Sequence, residues 1–85
     1  MNFLEWTNKA RDQFADIWVA ATLAERNVIE PLVIQFERDL RDNPMLIGES
    51  RIGSLRIVFY LPLVVWYHVN GNRVRIVRIT RPRQR

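Results

Sequence analysis

The run Leu63-Val64-Val65-Trp66-Tyr67-His68-Val69-Asn70-Gly71-Asn72-Arg73-Val74-Arg75-Ile76-Val77-Arg78 decides the fold. Two stretches rich in β-branched and aromatic residues flank Asn70-Gly71, a dipeptide that tolerates the positive φ angles of a type I′ turn. The pattern predicts a hairpin with strands over Leu63–Val69 and Arg73–Thr80. A two-residue turn at Asn70-Gly71 sets Val69 opposite Asn72, Tyr67 opposite Val74 and Val65 opposite Ile76. It also sets Trp66 opposite Arg75 and His68 opposite Arg73. Side chains alternate along a strand, so Val65, Tyr67, Val74 and Ile76 share one face and Trp66, His68, Arg73 and Arg75 the other. The first face is expected against the core and the second open. A slip of one residue would exchange them.

Upstream, Leu55–Tyr60 is a third strand-like run. Arg56 is expected on the open face, because its neighbours Leu55 and Ile57 prefer the core. Residues 44–54 form a loop with Gly48 and Gly53. Before residue 50 the apolar period is helical. Thr7 is a good N-cap, and Ala10, Phe14, Ile17, Trp18 and Ala21 make one stripe of a helix that fades around Ala24 to Arg26. A second helix is expected from near Asn27 to about Asp42. Asn27 and Glu30 resemble a capping box, with Pro31 in the first turn, although Glu30 could also begin it. Val28, Leu32, Phe36 and Leu40, with Ile29 and Val33, form its buried side, and Asn43-Pro44 ends it. Asn2 to Trp6 reads as a short first strand. The order β-α-α-β-β-β implies an α+β fold, with a helical hairpin on one face of a small antiparallel sheet. It is one domain over residues 1–85: strand and hairpin in 1–43, a β-meander in 55–80 and a basic tail in 81–85.

The charge is unevenly spread. The chain has 85 residues and a net charge of +4. Residues 1–50 hold five bases and nine acids, whereas residues 51–85 hold eight arginines and no acid. Guanidinium forks suit phosphate, carboxylate and base stacking, so the basic half points to a polyanion or an acidic protein partner. There is no cysteine and a single histidine, so neither a disulfide framework nor a thiolate or histidine metal site is expected. The opening residues have no basic segment before an apolar one, and no apolar run approaches the ~20 residues of a spanning helix. A cytoplasmic protein without membrane contact is expected.

The open face combines an indole, an imidazole and guanidiniums. Arginines bind phosphates and a flat aromatic stacks on an unpaired base. Trp66 and Arg75 can equally form a cross-strand cation–π pair that only stiffens the sheet, or lie beneath a protein partner. His68 has the chemistry of a general acid or base, yet no carboxylate in the basic half orients it, and a lone strand histidine is more often a spectator. No Ser/His/Asp set, Gly-rich phosphate loop or metal-ligand cluster is present.

Several stretches, in order, resemble the RelE/ParE toxins of bacterial type II toxin–antitoxin systems, which include plasmid-stabilisation modules. Trp6-Thr7-Asn8-Lys9-Ala10-Arg11-Asp12-Gln13-Phe14 is similar to that family's first strand and helix. Asn43-Pro44 followed by Gly48-Glu49-Ser50-Arg51 is similar to its post-helix loop. Leu61-Pro62-Leu63-Val64-Val65-Trp66-Tyr67-His68-Val69 resembles its central strand. Arg73 to Ile79, followed by Arg81-Pro82-Arg83, resembles its closing strand and basic tail. The resemblance implies a cognate antitoxin partner, a dimer or a toxin–antitoxin hetero-oligomer, no cofactor and no metal. It also implies one of two activities. The first is ribosome-dependent mRNA cleavage, an mRNA interferase that binds ribosome and mRNA. The second is non-enzymatic inhibition of DNA gyrase, and a decayed interaction module is a further outcome. For the nuclease, Arg56 and Arg81 are the candidates to stabilise the scissile phosphate and orient the ribose 2′-hydroxyl, with His68 as acid or base. Arg51, Trp66, Arg73, Arg75, Arg78 and Arg83 are the candidate RNA- or partner-binding residues. Val64 stands where the nucleases carry an arginine, and the tail ends without tyrosine, histidine or lysine.

Overall fold

The computed structural model describes residues 2–82. Its first strand, β1 (Phe3–Trp6), runs directly into α1 (Asn8–Ala20), and the Thr7 hydroxyl oxygen accepts the Ala10 N–H at 3.1 Å as the N-cap. The helix stops earlier than its apolar stripe suggests. Thr22 and Glu25 form a reciprocal capping box: the Thr22 hydroxyl accepts the Glu25 N–H at 3.2 Å, and the Glu25 carboxylate accepts the Thr22 N–H at 2.8 Å.

The second helix, α2, therefore spans Leu23–Asp42, and the expected box at Asn27 and Glu30 lies inside it. Pro31 is likewise internal rather than in the first turn. Its missing N–H removes one rung of the ladder on an exposed side of the helix. Ile29, Phe36 and Leu40 are fully buried, while Val28, expected inside, is 53% exposed. The Arg26 guanidinium donates to the Trp18 carbonyl at 2.9 Å and lies 5.2 Å from the Trp18 ring centroid, tying α2 back to the end of α1.

Four further strands follow: β2 (Glu49–Ser50), β3 (Leu55–Tyr60), β4 (Leu63–Asn70) and β5 (Arg73–Thr80). The sheet order is β1-β5-β4-β3-β2. The sheet is mixed rather than antiparallel, because β1 pairs parallel to β5, with Leu4 beside Val74 and Trp6 beside Ile76. This register puts the apolar residues of β1 on the same face as those of β5, so a short terminal strand extends the core instead of leaving β5 as an edge.

The hairpin turn is Gly71-Asn72, one residue later than expected. Gly71 has φ +59° and no non-glycine residue among the described ones has positive φ, the pattern of a II′ turn with glycine first. Asn70 faces Arg73, Val69 faces Val74, His68 faces Arg75 and Tyr67 faces Ile76. Each partner moves by two positions, so the faces are retained although the pairs change. The expected opposition of Trp66 to Arg75 and of Val65 to Ile76 is replaced by a β-bulge, beyond which Trp66 faces Arg78 and Val65 faces Ile79. Val77 is the extra residue. Without the bulge Arg78 would point into the core after Val74 and Ile76; with it, Arg78 points outward and Ile79 is buried.

Both helices cover the face that carries Val58, Leu63, Val65, Tyr67, Val74, Ile76 and Ile79, which form one cluster with Ala10, Ile29, Phe36 and Leu40. Trp6, Phe14, Trp18, Phe36 and Tyr60 form an aromatic chain with centroid separations of 5.8–6.2 Å. Its polar ends are satisfied: the Trp6 indole donates to Glu37 at 3.0 Å and the Tyr60 hydroxyl to Asp39 at 2.5 Å. Burial, and then the Asp39 carboxylate, push the Tyr60 phenol well above its usual pKa.

Candidate anion-facing surface

The face of the sheet turned away from the helices is assembled from alternate residues of four strands. β5 contributes Arg73, Arg75 and, through the bulge, Arg78. β4 contributes Val64, Trp66 and His68, β3 contributes Leu55, Ile57 and Phe59, and β1 contributes Phe3 and Glu5. The expected placement of Trp66, His68, Arg73 and Arg75 on one face outside the helices therefore holds. The surface is not purely cationic. Ile57 and Val64 are buried on this side, and Phe59 is 55% exposed beside Val64, so an apolar strip adjoins the arginine row.

Trp66 is half-buried in that strip, opposite Ile57. Its cation–π partner is Arg78, with the guanidinium carbon 5.4 Å from the ring centroid, rather than Arg75. The indole N–H of Trp66 is buried and has no hydrogen-bond partner among the described residues. The Arg75 guanidinium pairs instead with Glu5 at 3.1 Å, both partly exposed. Among the described residues, Arg73 and Arg78 have no carboxylate partner. The fold thus brings acids from the first half of the chain onto the arginines of the second, a pairing that charge counting along the sequence does not reveal. Arg51 likewise approaches Glu49 at 3.6 Å, an exposed pair of little energetic weight.

His68 lies near the hairpin end of this face. Its Nδ1 is 2.7 Å from the Ser54 hydroxyl oxygen. The group that orients His68 is a hydroxyl and not a carboxylate, which a search for acids in the basic half does not disclose. Ser54 is fourteen residues away and reaches the ring only through the β3–β4 pairing that sets Leu55 opposite His68.

Arg56 is not on this face. It pairs with Tyr67, so its side chain lies on the helix side at the margin of the core. The expectation failed because Leu55 and Ile57 face outward, Ile57 being buried there against Trp66. The Arg56 guanidinium donates to the carbonyls of Met45, Ile47 and Gly48 at 3.1–3.4 Å, and its Nε to the Tyr67 hydroxyl at 3.4 Å. The Tyr67 hydroxyl lies 2.8 Å from both the Pro44 and the Ile47 carbonyls, so its one proton is shared between them. Burial pushes this phenol up despite the opposing guanidinium. Arg56 and Tyr67 together fasten the loop after α2 to the sheet.

Arg81 occupies a third location. Beyond β1 the edge of β5 is open, and the Gln13 side chain accepts the Ile79 N–H there at 3.0 Å. A cleft of about 770 Å³ lined by Gln13, Asp16, Glu25, Thr80 and Arg81 lies alongside, and in it Arg81 is hydrogen-bonded to Glu25. That bond, followed by those from the Thr22 backbone and hydroxyl, holds the Glu25 carboxyl at about 2 instead of 4.5. A depressed carboxyl stabilises the fold fully above its unfolded value, and the contribution fades as pH falls from 4.5 toward 2. Glu25→Gln is therefore expected to flatten the acid limb of the stability–pH curve in that window. Urea titrations at a series of pH values check it; an unchanged acid limb would show that the carboxylate is not linked to folding. Arg83 lies outside the described residues.

Among the described residues no cluster of three or more metal-ligating side chains occurs, and no helix is long and apolar enough to cross a membrane. Between the helices, Trp6, Phe14, Trp18, Val33 and Ile34 line an apolar groove of about 650 Å³.

No family model matches the sequence, and no curated protein matches it. Solved structures do. A chain of the chromosomal ParDE TA system from P. aeruginosa aligns with a TM-score of 0.74 at 21% identity, covering 98% of each chain. A conserved hypothetical protein from Helicobacter pylori aligns at 0.70 and 13% identity, covering 95% of this chain and 94% of that one. A copper-bound mutant toxin from Helicobacter pylori aligns at 0.59 and 10% identity with the same coverage. At these identities the likeness concerns architecture alone: two helices against one face of a five-stranded mixed sheet, an α+β fold shared with these solved chains.

Proposed function

We propose that this protein is the toxin of a type II toxin–antitoxin pair, and that it acts by binding its target through the outer face of the sheet rather than by cutting RNA. The observation that carries the second half is the dispersal of the nuclease candidates. Arg56 is engaged with loop carbonyls on the helix side, Arg81 with Glu25 at the β5 edge, and His68 with Ser54 on the outer face. A phosphoryl-transfer site needs such groups convergent on one scissile bond. The outer face instead offers what a binding surface needs: Arg73 and Arg78, without a carboxylate partner among the described residues, a half-buried indole and an adjoining apolar strip. DNA gyrase is the target that the family resemblance assigns to non-cleaving members. The cytoplasm is the matching compartment.

The cognate antitoxin is the proposed neutralising partner. An amphipathic helix fits the groove between α1 and α2, and an acidic segment complements Arg73 and Arg78. Growth arrest on induction tests the reading. The double variant Arg73→Glu/Arg78→Glu is expected to lose arrest at a soluble level equal to the wild type, since both positions are exposed and outside the core. Arrest at wild-type strength would remove the outer face as the target surface.

Ribosome-dependent mRNA cleavage is the second reading. The Ser54-held imidazole beside Arg73 and Arg75 favours it, since a proton-transferring group and two cations line one pocket there.

A further inference from the structure

The hairpin end of the outer face is a concave pocket of about 460 Å³, lined by Glu5, Ser54, His68, Asn70, Arg73 and Arg75. We infer that this pocket is a phosphate-binding site in which His68 Nε2, Arg73 and Arg75 donate to the anion and Ser54 positions the imidazole. The inference rests on the outer face being a contact surface, and it names the chemistry recognised there.

The polar groups of the pocket divide into committed and open ones. Glu5 is taken up by Arg75, and the Ser54 hydroxyl by His68 Nδ1. The groups left over are the Asn70 amide, the Arg73 guanidinium and His68 Nε2, none with a hydrogen-bond partner among the described residues. Two arginines against one carboxylate leave the pocket net positive even with a neutral ring. Guanidinium forks are suited to tetrahedral oxyanions. Arg73 projects from the strand end beside the Gly71-Asn72 turn and Arg75 from the next outward position, so the two flank the anion from one side with His68 across the ladder from Arg75.

Ser54 gives the ring its direction. Its carbonyl accepts the Val69 N–H at 3.3 Å while its hydroxyl meets Nδ1 at 2.7 Å, so residue 54 is held to β4 through two atoms. A hydroxyl can donate or accept. When it donates to a neutral ring, the ring proton must sit on Nε2. When it accepts from a protonated ring, Nε2 also carries a proton. Both arrangements present an N–H at Nε2, which an anion requires; the remaining tautomer would present a lone pair and repel it. The Ser54–His68 bond could merely tie β3 to β4, and a ligand-dependent readout separates the two roles.

The shared chemistry is a phosphate, supplied either by the terminal monoester of a nucleic acid or by an internal phosphodiester. Titration of the isotope-labelled protein with inorganic phosphate, against chloride at equal ionic strength, reads the site through the His68 ring and Arg73 side-chain NMR signals. Saturable shifts are expected with phosphate only. Arg73→Gln and His68→Ala should each weaken binding about tenfold, the worth of one hydrogen bond to a charged group. Ser54→Ala should weaken it several-fold, with recovery in Ser54→Thr. Single-stranded oligoribonucleotides with and without a 5′-phosphate identify the source. Tighter binding of the phosphorylated one assigns the terminal monoester, and equal binding lost in Arg73→Gln assigns the backbone. Shifts that match those in chloride, or wild-type affinity in Arg73→Gln and His68→Ala, overturn the site. A chain that fails to arrest growth would remove the toxin reading while leaving the phosphate titration to stand on its own result.

Discussion

Gly48→Ala is expected to cost about 3 kcal/mol of stability, from left-handed backbone strain and a steric clash acting together. Gly48 has φ +71°, and a Cβ built there meets the Ile57 carbonyl oxygen at 2.5 Å, the Tyr67 hydroxyl at 2.9 Å and Val58 Cβ at 3.0 Å. The first of these is backbone of β3, paired to β2 on one side and β4 on the other, and cannot move alone. The second is the hydroxyl that holds the post-α2 loop through Pro44 and Ile47. Relief of the clash therefore loosens the loop and withdraws the carbonyls that Arg56 binds. Gly53 and Gly71 are internal controls, with similar φ (+57° and +59°) and open space around the Cβ position. Their alanine variants should lose only about 1 kcal/mol. Urea unfolding of the three variants separates strain from collision, and equal losses at positions 48 and 53 would mean that the close approach of the loop to Ile57 is wrong.

Phe36→Ala should be more damaging still, by about 3–5 kcal/mol. The ring is fully buried in α2, with the Trp6 and Tyr60 rings each 5.8 Å away, so its removal opens a cavity where helix, β1 and β3 meet. Trp6 and Tyr60 are each tied by a polar end to α2, through Glu37 and Asp39, so they cannot collapse into the space without losing those bonds. A domain of this size has on the order of 4–13 kcal/mol in total. The variant should then melt at or below growth temperature by circular dichroism, with Phe36→Leu intermediate. A midpoint within a few degrees of the wild type would show that the aromatic chain is not the centre of the core.

The parts of this structure legible in the sequence are those set by local chemistry. The strand limits over residues 55–80, the Thr7 cap and the two faces of the hairpin follow from alternation and turn preference. The face assignment survived an error in the turn because moving a two-residue turn by one position shifts each partner by two. The bulge at Val77 was not legible: Val74-Arg75-Ile76-Val77-Arg78-Ile79 alternates well enough to read as a continuous strand, and only pairing with β4 shows that one residue is extra. The start of α2 could have been read, since Thr22-Leu23-Ala24-Glu25 carries the Thr/Glu spacing of a capping box directly. Arg56 was misplaced because an apolar residue was equated with the helix-facing core, whereas Ile57 is buried on the opposite face beneath Trp66. The pairs Glu5–Arg75, Glu25–Arg81 and Ser54–His68 join distant positions, and no periodicity or charge count could have disclosed them.

Mapping of transcript 5′ ends in cells arrested by the induced wild-type protein tests directly whether the outer face binds or cuts. The separated placement of Arg56, Arg81 and His68 predicts growth arrest with no new 5′ ends within codons at the ribosomal A site. Arrest accompanied by A-site cuts, lost when His68 is replaced, would contradict a binding mechanism and make the Ser54-held imidazole part of a nuclease centre.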